Sequence, residues 1–298
     1  MDEQKETFTR FRSDPNNPGG LQGNLIRSIL EDPRGNLWIA TSGGGLSLYN
    51  YNTGTFTTFR NDPKDRTSII SDYVMALAVD EDGYLWAGTW FGGISRYDHV
   101  AGVFTNYPTS DQRVYTLNTQ EKGVIRIGTW GGGLIEYYPK ENRFVNHVHT
   151  SLRDSLSNNI VYSMHIDRAG DLWVGTNGGG INHLGKSRRS YSVISHNPDD
   201  PASLSAGKVN AILEDSSGGL WIGLYNGGLN HYNPETGVMR HYKADPKNKR
   251  ALSNNIVTSI FEDSMGLIWV TTNDGINRYD PDTGGFHIIR PEPGNDKS

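Results

Sequence analysis

The chain has 298 residues, a formal net charge of -5, a pI near 6.0, 36 glycines, 10 % aromatic residues and no cysteine. A weakly acidic chain has no broad basic field to neutralise a phosphate backbone, so no nucleic acid is expected as a partner. The lack of cysteine removes disulfides, thiol chemistry and thiolate metal sites.

In chain order, the start Met1-Asp-Glu-Gln-Lys-Glu lacks the apolar stretch of a signal peptide, and no later run approaches the roughly 20 apolar residues of a membrane helix. No membrane insertion is expected. Residues 1–23 read as an extra outer strand and linker, because Thr7 to Asp14 (TFTRFRSD) copies Thr55 to Asp62 (TFTTFRND), the end of the first repeat. Six repeats follow, at approximately 24–68, 69–110, 111–157, 158–205, 206–253 and 254–290, in one domain. Their markers are Trp38, Trp86, Trp173, Trp221 and Trp269, spaced 48, 87, 48 and 48. The long interval hides a divergent copy, Val124 to Ile127, with Arg126 where the others have Trp.

Each repeat reads as four short strands. An apolar run such as Ile256 to Phe261 ends in an acidic, Gly-containing turn (Glu262 to Gly266) suited to a tight hairpin. A Leu-Trp strand follows, then a Gly-rich corner, a strand ending in Tyr, a turn such as Thr53-Gly54, and a last strand such as Thr55 to Phe59. Helical periodicity is nowhere sustained. A repeat of this size cannot bury its own face and must stack on its neighbours. The expected fold is therefore all-β: a β-propeller with six four-stranded blades. A seven-bladed ring with an incomplete last blade is the alternative, since seven fourth strands stand against six of each other kind. A surplus outer strand would also offer an edge for self-association.

Comparing the six copies with one another separates positions the fold dictates from positions it leaves free. Ser28, Ala76, Thr116, Ser163, Ala211 and Ser259 share one small-residue site in the innermost strand, and the tryptophans read as core. Directly after the Gly-Thr element stand Ser42, Trp90, Trp130, Asn177, Tyr225 and Asn273, with Phe91, Asn226 and Asp274 beside them. Just before the small residue stand Arg27, Met75, Tyr115, Tyr162, Asn210 and Thr258. Tyr73, Arg113 and Lys208 replace the aliphatic Leu25, Ile160 and Ile256 two residues earlier. Rings beside amides suit sugar recognition, and Arg27, Arg113 and Lys208 would add positive charge for an anionic sugar or carboxylate. The ligand-binding set expected from sequence is Arg27, Tyr73, Trp90, Phe91, Arg113, Tyr115, Trp130, Tyr162, Asn177, Lys208, Tyr225, Asn226, Asn273 and Asp274.

Other chemistry is set aside. His183 and His231 share a strand position that also accepts Leu48 and Arg96, so no metal is expected there. Asp80 to Gly83 is the acidic turn of every repeat rather than a calcium loop. The Gly-Gly-Gly corners precede no helix and carry no Gly-Lys-Ser/Thr, so they hold no phosphate. No cofactor is expected.

The pattern Glu-Asp-x-x-Gly-x-Leu-Trp-Ile-Gly-Thr, then Gly-Gly-Leu-x-x-Tyr-Asn/Asp and Thr-Gly-x-Phe, resembles the two-component regulator propeller repeat. It is clearest at Glu31 to Tyr49, Glu214 to Tyr232 and Glu262 to Tyr279. The resemblance implies the periplasmic or extracellular sensor domain of a bacterial hybrid two-component system, tied to glycan breakdown products, and not an enzyme. A polysaccharide or streptogramin lyase is the alternative, with Tyr115, Tyr162, Arg27 and Arg113 cast as base and cation. A protein-binding platform is the second alternative.

Overall fold

The structure, a computed structural model, describes residues 10–14, 16–152, 154–186 and 191–290. The acidic turn shows how local sequence builds each blade. Asp32 Oδ1 accepts the backbone N–H groups of Arg34 and Asn36 at 2.9 and 3.0 Å, and Gly35 takes a φ of 79° to close the turn. Asp32 Oδ2 accepts the indole N–H of Trp38 at 2.9 Å. One carboxylate therefore shapes the hairpin and satisfies the buried ring. The same bond joins Trp86 to Asp80, Trp173 to Asp167, Trp221 to Asp215 and Trp269 to Asp263, at 2.7–2.8 Å.

Each repeat forms one antiparallel sheet with its strands in sequential order, so the fold is an all-β propeller with six four-stranded blades. Blade 1 comprises β1 (Ile26–Glu31), β2 (Leu37–Thr41), β3 (Gly45–Asn50) and β4 (Thr55–Phe59). Blade 2 comprises β5 (Val74–Val79), β6 (Leu85–Thr89), β7 (Ile94–Asp98) and β8 (Val103–Tyr107). Blade 3 comprises β9 (Val114–Asn118), β10 (Ile125–Thr129), β11 (Leu134–Tyr138) and β12 (Arg143–His147). Blade 4 comprises β13 (Val161–Ile166), β14 (Leu172–Thr176), β15 (Ile181–Leu184) and β16 (Ser192–Ile194). Blade 5 comprises β17 (Lys208–Glu214), β18 (Leu220–Tyr225), β19 (Gly228–Tyr232) and β20 (Met239–Tyr242). Blade 6 comprises β21 (Val257–Glu262), β22 (Ile268–Thr272), β23 (Gly275–Asp280) and β24 (Gly285–Ile289). Arg10–His147, with blades 1 to 3, is one compact unit, and the described residues from Val148 onward, with blades 4 to 6, are the other.

Within each unit the core lies between successive sheets. Trp38 and Leu46 of blade 1 are buried with Ile69, Val74, Leu77 and Leu85 of blade 2. Trp86, Trp173 and Trp221 are covered in the same manner by the blade that follows. Each of these four rings also meets the tyrosine on the third strand of the next blade, as in Trp38–Tyr97 at 5.2 Å and Trp221–Tyr279 at 4.9 Å. The sheets approach closely enough that a Cβ on Gly88 would lie 2.6 Å from Val114 Cγ1, which explains a glycine after the Leu-Trp pair.

Blade 3 replaces the tryptophan by a charged cluster. Arg126 is buried, with its Nε donating to Glu136 Oε1 at 2.9 Å and Nη2 donating to Glu121. Glu136 Oε2 also accepts the hydroxyl of Tyr138 at 3.0 Å and lies 3.1 Å from His147 Nε2. Burial by itself would raise the Glu136 pKa, but the His147 contact and the Arg126 charge override it and lower the carboxyl to about 2.

Thr7, Phe8 and Thr9 of the expected outer strand lie outside the described residues. Arg10 to Asp14 form no ladder, yet Phe11 packs edge-on against Tyr49 and Phe56, each at 5.5 Å. Phe59 meets Tyr97 and Phe104 of blade 2 in the same fashion, at 5.3 and 5.7 Å. Phe11 thus stands toward blade 1 where Phe59 stands toward blade 2. On β1, Ile26 and Ile29 are 40 % and 61 % exposed, whereas Val74 and Leu77, their equivalents on β5, are buried.

Candidate functional site

The Gly-rich corners are held by backbone groups and by the threonine before them. Thr41, Thr89, Thr129 and Thr176 each donate a hydroxyl hydrogen bond to the carbonyl of the glycine four residues on, at 2.9–3.0 Å. The next residue needs only its backbone N–H. Ser42, Trp90, Trp130, Asn177 and Asn273 donate it to the carbonyls of Leu25, Tyr73, Arg113, Ile160 and Ile256. The fold thereby uses the main chain at this position and leaves the side chain free to vary.

A second position is released by irregularity. In all six blades the pairing of first and second strands shifts register at one place: between Ile26 and Ser28, Val74 and Ala76, Val114 and Thr116, Val161 and Ser163, Val209 and Ala211, and Val257 and Ser259. The residue left out of the ladder is Arg27, Met75, Tyr115, Tyr162, Asn210 or Thr258. A β-bulge re-aims its extra side chain away from the regular pleat. The variability seen in the sequence therefore has a backbone cause that the sequence did not display.

In blades 1 to 3 these two sets converge. A cleft of about 440 Å³ is lined by Arg27, Ser42, Tyr73, Met75, Trp90, Phe91, Tyr115 and Trp130. Its volume falls in the range of small-molecule sites, about 300–1,000 Å³. The rings of Trp90 and Trp130 lie 5.3 Å apart at 66°, Tyr115 lies 5.9 Å from Trp130, and Tyr73 meets Phe91 edge-on at 5.4 Å. The Arg27 guanidinium sits over the Tyr115 ring at 5.5 Å. Six of the residues expected from sequence are thus brought together. Ser42 and Met75 join them, although only their variability marked them in the sequence.

The other expected residues lie elsewhere. Arg113 does not line the cleft, because Asp111 holds its guanidinium through two bonds of 2.9 Å. The side-chain bond and charge of Arg113, with backbone N–H bonds, outweigh burial and lower the Asp111 pKa. In the second unit Lys208 Nζ lies 5.6 Å from the Tyr162 ring and 5.1 Å from the Tyr225 ring, and Asn177 bridges to Lys208. Asn226, beside Tyr225, has a φ of 66°. Asn273 and Asp274 lie at the blade 6 corner, where Asp274 accepts from Arg290 at 2.9 Å.

The paired histidines serve the sheet. His183 stacks on Trp173 at 4.2 Å and His231 lies 4.4 Å from Trp221, each reaching a nearby aspartate, Asp171 at 2.8 Å and Asp215 at 3.2 Å. Asp167, Asp171 and His183 have ligand-type atoms within 4.8 Å of one another. Those groups are already engaged: Asp167 Oδ2 accepts from Trp173, and Asp171 accepts the backbone N–H of Lys186 and contacts His183.

The model of the two component regulator propeller matches residues 20–43, 68–91, 155–178, 203–226 and 251–274. This chain carries two component regulator propeller repeats. Each match covers one repeat from its linker through its corner, and the Arg126 blade falls outside them. No curated protein matches the sequence. Among solved structures, the extracellular domain of the putative hybrid two component system BT4673 from B. thetaiotaomicron is similar, with 22 % identity and a TM-score of 0.61 over 87 % of this chain. The match spans 38 % of that chain, well under two thirds. A catalytically inactive virginiamycin B lyase from Staphylococcus aureus, solved with quinupristin, shows 16 % identity and a TM-score of 0.66, over 90 % of this chain and 85 % of its own. PorZ of Porphyromonas gingivalis, a surface component of the type-IX secretion system, shows 16 % and 0.65, over 92 % of this chain and 40 % of its own. At these identities the similarity extends to the propeller fold that carries the repeats.

Proposed function

We propose that this chain is the ligand-recognising propeller of an extracytoplasmic sensor, and that the cleft on blades 1 to 3 takes a glycan or a glycan breakdown product. The convergence of bulge residues and corner residues on one ring-lined cleft is the observation that carries this reading. Neither position is needed by the fold for its side chain, yet in blades 2 and 3 they supply Trp90, Tyr115 and Trp130. Aromatic faces match the apolar C–H faces of sugars, and nearby hydroxyl and guanidinium groups supply polar contacts. The two component regulator repeats and the extracellular placement of the BT4673 domain support a sensing role outside the cytoplasm.

Binding is favoured over catalysis by the chemistry of the lining. A lyase requires a base within hydrogen-bond reach of the proton it removes. Of the eight lining residues only Tyr73 and Tyr115 could serve as that base, and none is a histidine or a carboxylate, the commoner bases. Glycan-array binding of the intact chain, repeated with Trp90→Ala and Trp130→Ala, tests the reading. Binding that disappears in both variants supports it, and unchanged binding removes it. Appearance of unsaturated products from acidic polysaccharides would favour the lyase instead.

A further inference from the structure

The three cations expected near the mouth have different fates. Arg113 is neutralised by Asp111 at 2.9 Å. Lys208 lies in the second unit against Tyr162 and Tyr225. Arg27 stands at the cleft, exposed, and its guanidinium meets the Tyr115 ring with no carboxylate or carbonyl acceptor among the described residues. Its neighbours on the blade 2 side of the cleft, Met75 and Trp90, offer no acceptor either.

A guanidinium has five N–H donors in a fixed fork that matches a carboxylate. Resting on a ring face orients that fork while leaving its edge to a ligand. Arg27 occupies the bulge of β1, so the backbone also takes it out of the regular pleat. A cationic ligand would meet like charge at this wall, and a neutral one would leave the fork to water alone. Resting on the binding reading above, we infer that the cleft selects acidic sugars: ligands that lay an apolar ring face on Trp90 and Trp130 and present a carboxylate to Arg27.

The test uses two matched pairs of oligosaccharides, an oligogalacturonide and a glucuronate-containing oligosaccharide, each with its counterpart reduced at the carboxylates to neutral hydroxymethyl groups. Titration calorimetry of the intact chain should show the acidic member of at least one pair binding about ten- to a hundredfold tighter than its neutral counterpart, the scale of a charged hydrogen bond. Arg27→Met should erase that preference, lowering the affinity for the acidic member far more than that for its neutral counterpart. Arg27→Lys should restore part of it, and Lys208→Met should leave it intact. Trp90→Ala should weaken the acidic and neutral members alike. Equal affinity of acidic and neutral members in both pairs, or a preference that survives Arg27→Met, overturns the inference while sparing the binding reading. If no member of either pair binds, but other glycans on the array do so through Trp90, the inference again fails alone. No glycan binding of any kind overturns both.

Discussion

The indole of Trp90 lies 5.3 Å from that of Trp130 at an interplanar angle of 66°, so two successive corners build a ring-walled recess. Both rings are half-buried. Replacing either by alanine should weaken ligand binding about tenfold or more, roughly 1.4 kcal/mol. The loss of stability should be less than half that of Trp38→Ala, which empties a fully buried site and is expected to cost about 3–5 kcal/mol. Calorimetric titration beside chemical denaturation of the three variants checks both halves.

The aspartate-to-tryptophan bond makes a separate prediction. Asp32→Asn keeps an oxygen for the turn N–H groups but sets an amide NH2, itself a donor, where the carboxylate oxygen accepted from Trp38 Nε1. A loss of about 1.5–3 kcal/mol is expected, the scale of a hydrogen bond to a charged group. Denaturant unfolding followed by tryptophan fluorescence measures it. A loss as large as that of Trp38→Ala would show that the turn itself had failed.

Equivalent positions should differ where burial differs. Leu77 is 8 % exposed between blades 1 and 2, while Ile29, at the same place in β1, is 61 % exposed. Leu77→Ala should cost about 2–5 kcal/mol. Ile29→Ala should cost under about 1 kcal/mol, the span of strand propensity. Parallel urea melts decide the matter, and equal losses would mean that Ile29 is covered in solution.

Gly88 tests the close approach of neighbouring sheets. A Cβ there would come within 2.6 Å of Val114, so Gly88→Thr should destabilise by several kcal/mol, of order 1–3 or more, through overpacking. Blade 6 already carries a threonine, Thr271, at the equivalent position, where it is half-buried and bonded to Thr258 at 2.8 Å. Thr271→Gly should change stability by no more than about 1 kcal/mol. Melting curves of both variants provide the comparison.

Glu136 predicts an acid-sensitive contribution. Its carboxyl falls from the usual 4.5 to about 2 in the folded chain, so the unfolded chain binds the proton first as pH drops. The contribution is fully present above about pH 4.5 and fades between there and about 2, with a magnitude on the order of 3 kcal/mol. Glu136→Gln should therefore be much less stable than the parent at pH 7, and the gap should narrow as pH falls through that window. A gap independent of pH would assign the loss to packing.

The amino-acid sequence by itself determined the blades. A hairpin such as Glu262 to Trp269 is specified within eight residues, by an aspartate that shapes the turn, a glycine that closes it and a tryptophan that the same aspartate satisfies. Because that logic is local and recurs in five of the six blades, strand count, order and core were legible without a structure. Comparing the copies also exposed both variable positions. What the tertiary structure decided is which of those side chains meet and which charges survive. A ladder slip at Arg27 and Tyr115 is a cooperative result of pairing, and nothing in the two residues announces it. Arg113 and Arg27 both read as cations for the mouth, and the structure closes Asp111, two residues before Arg113, onto the Arg113 guanidinium at 2.9 Å. The six residues read as one site were separated from eight others for the same reason. A repeat fixes each residue's place within its own blade, whereas neighbours across blades are chosen only when the sheets pack.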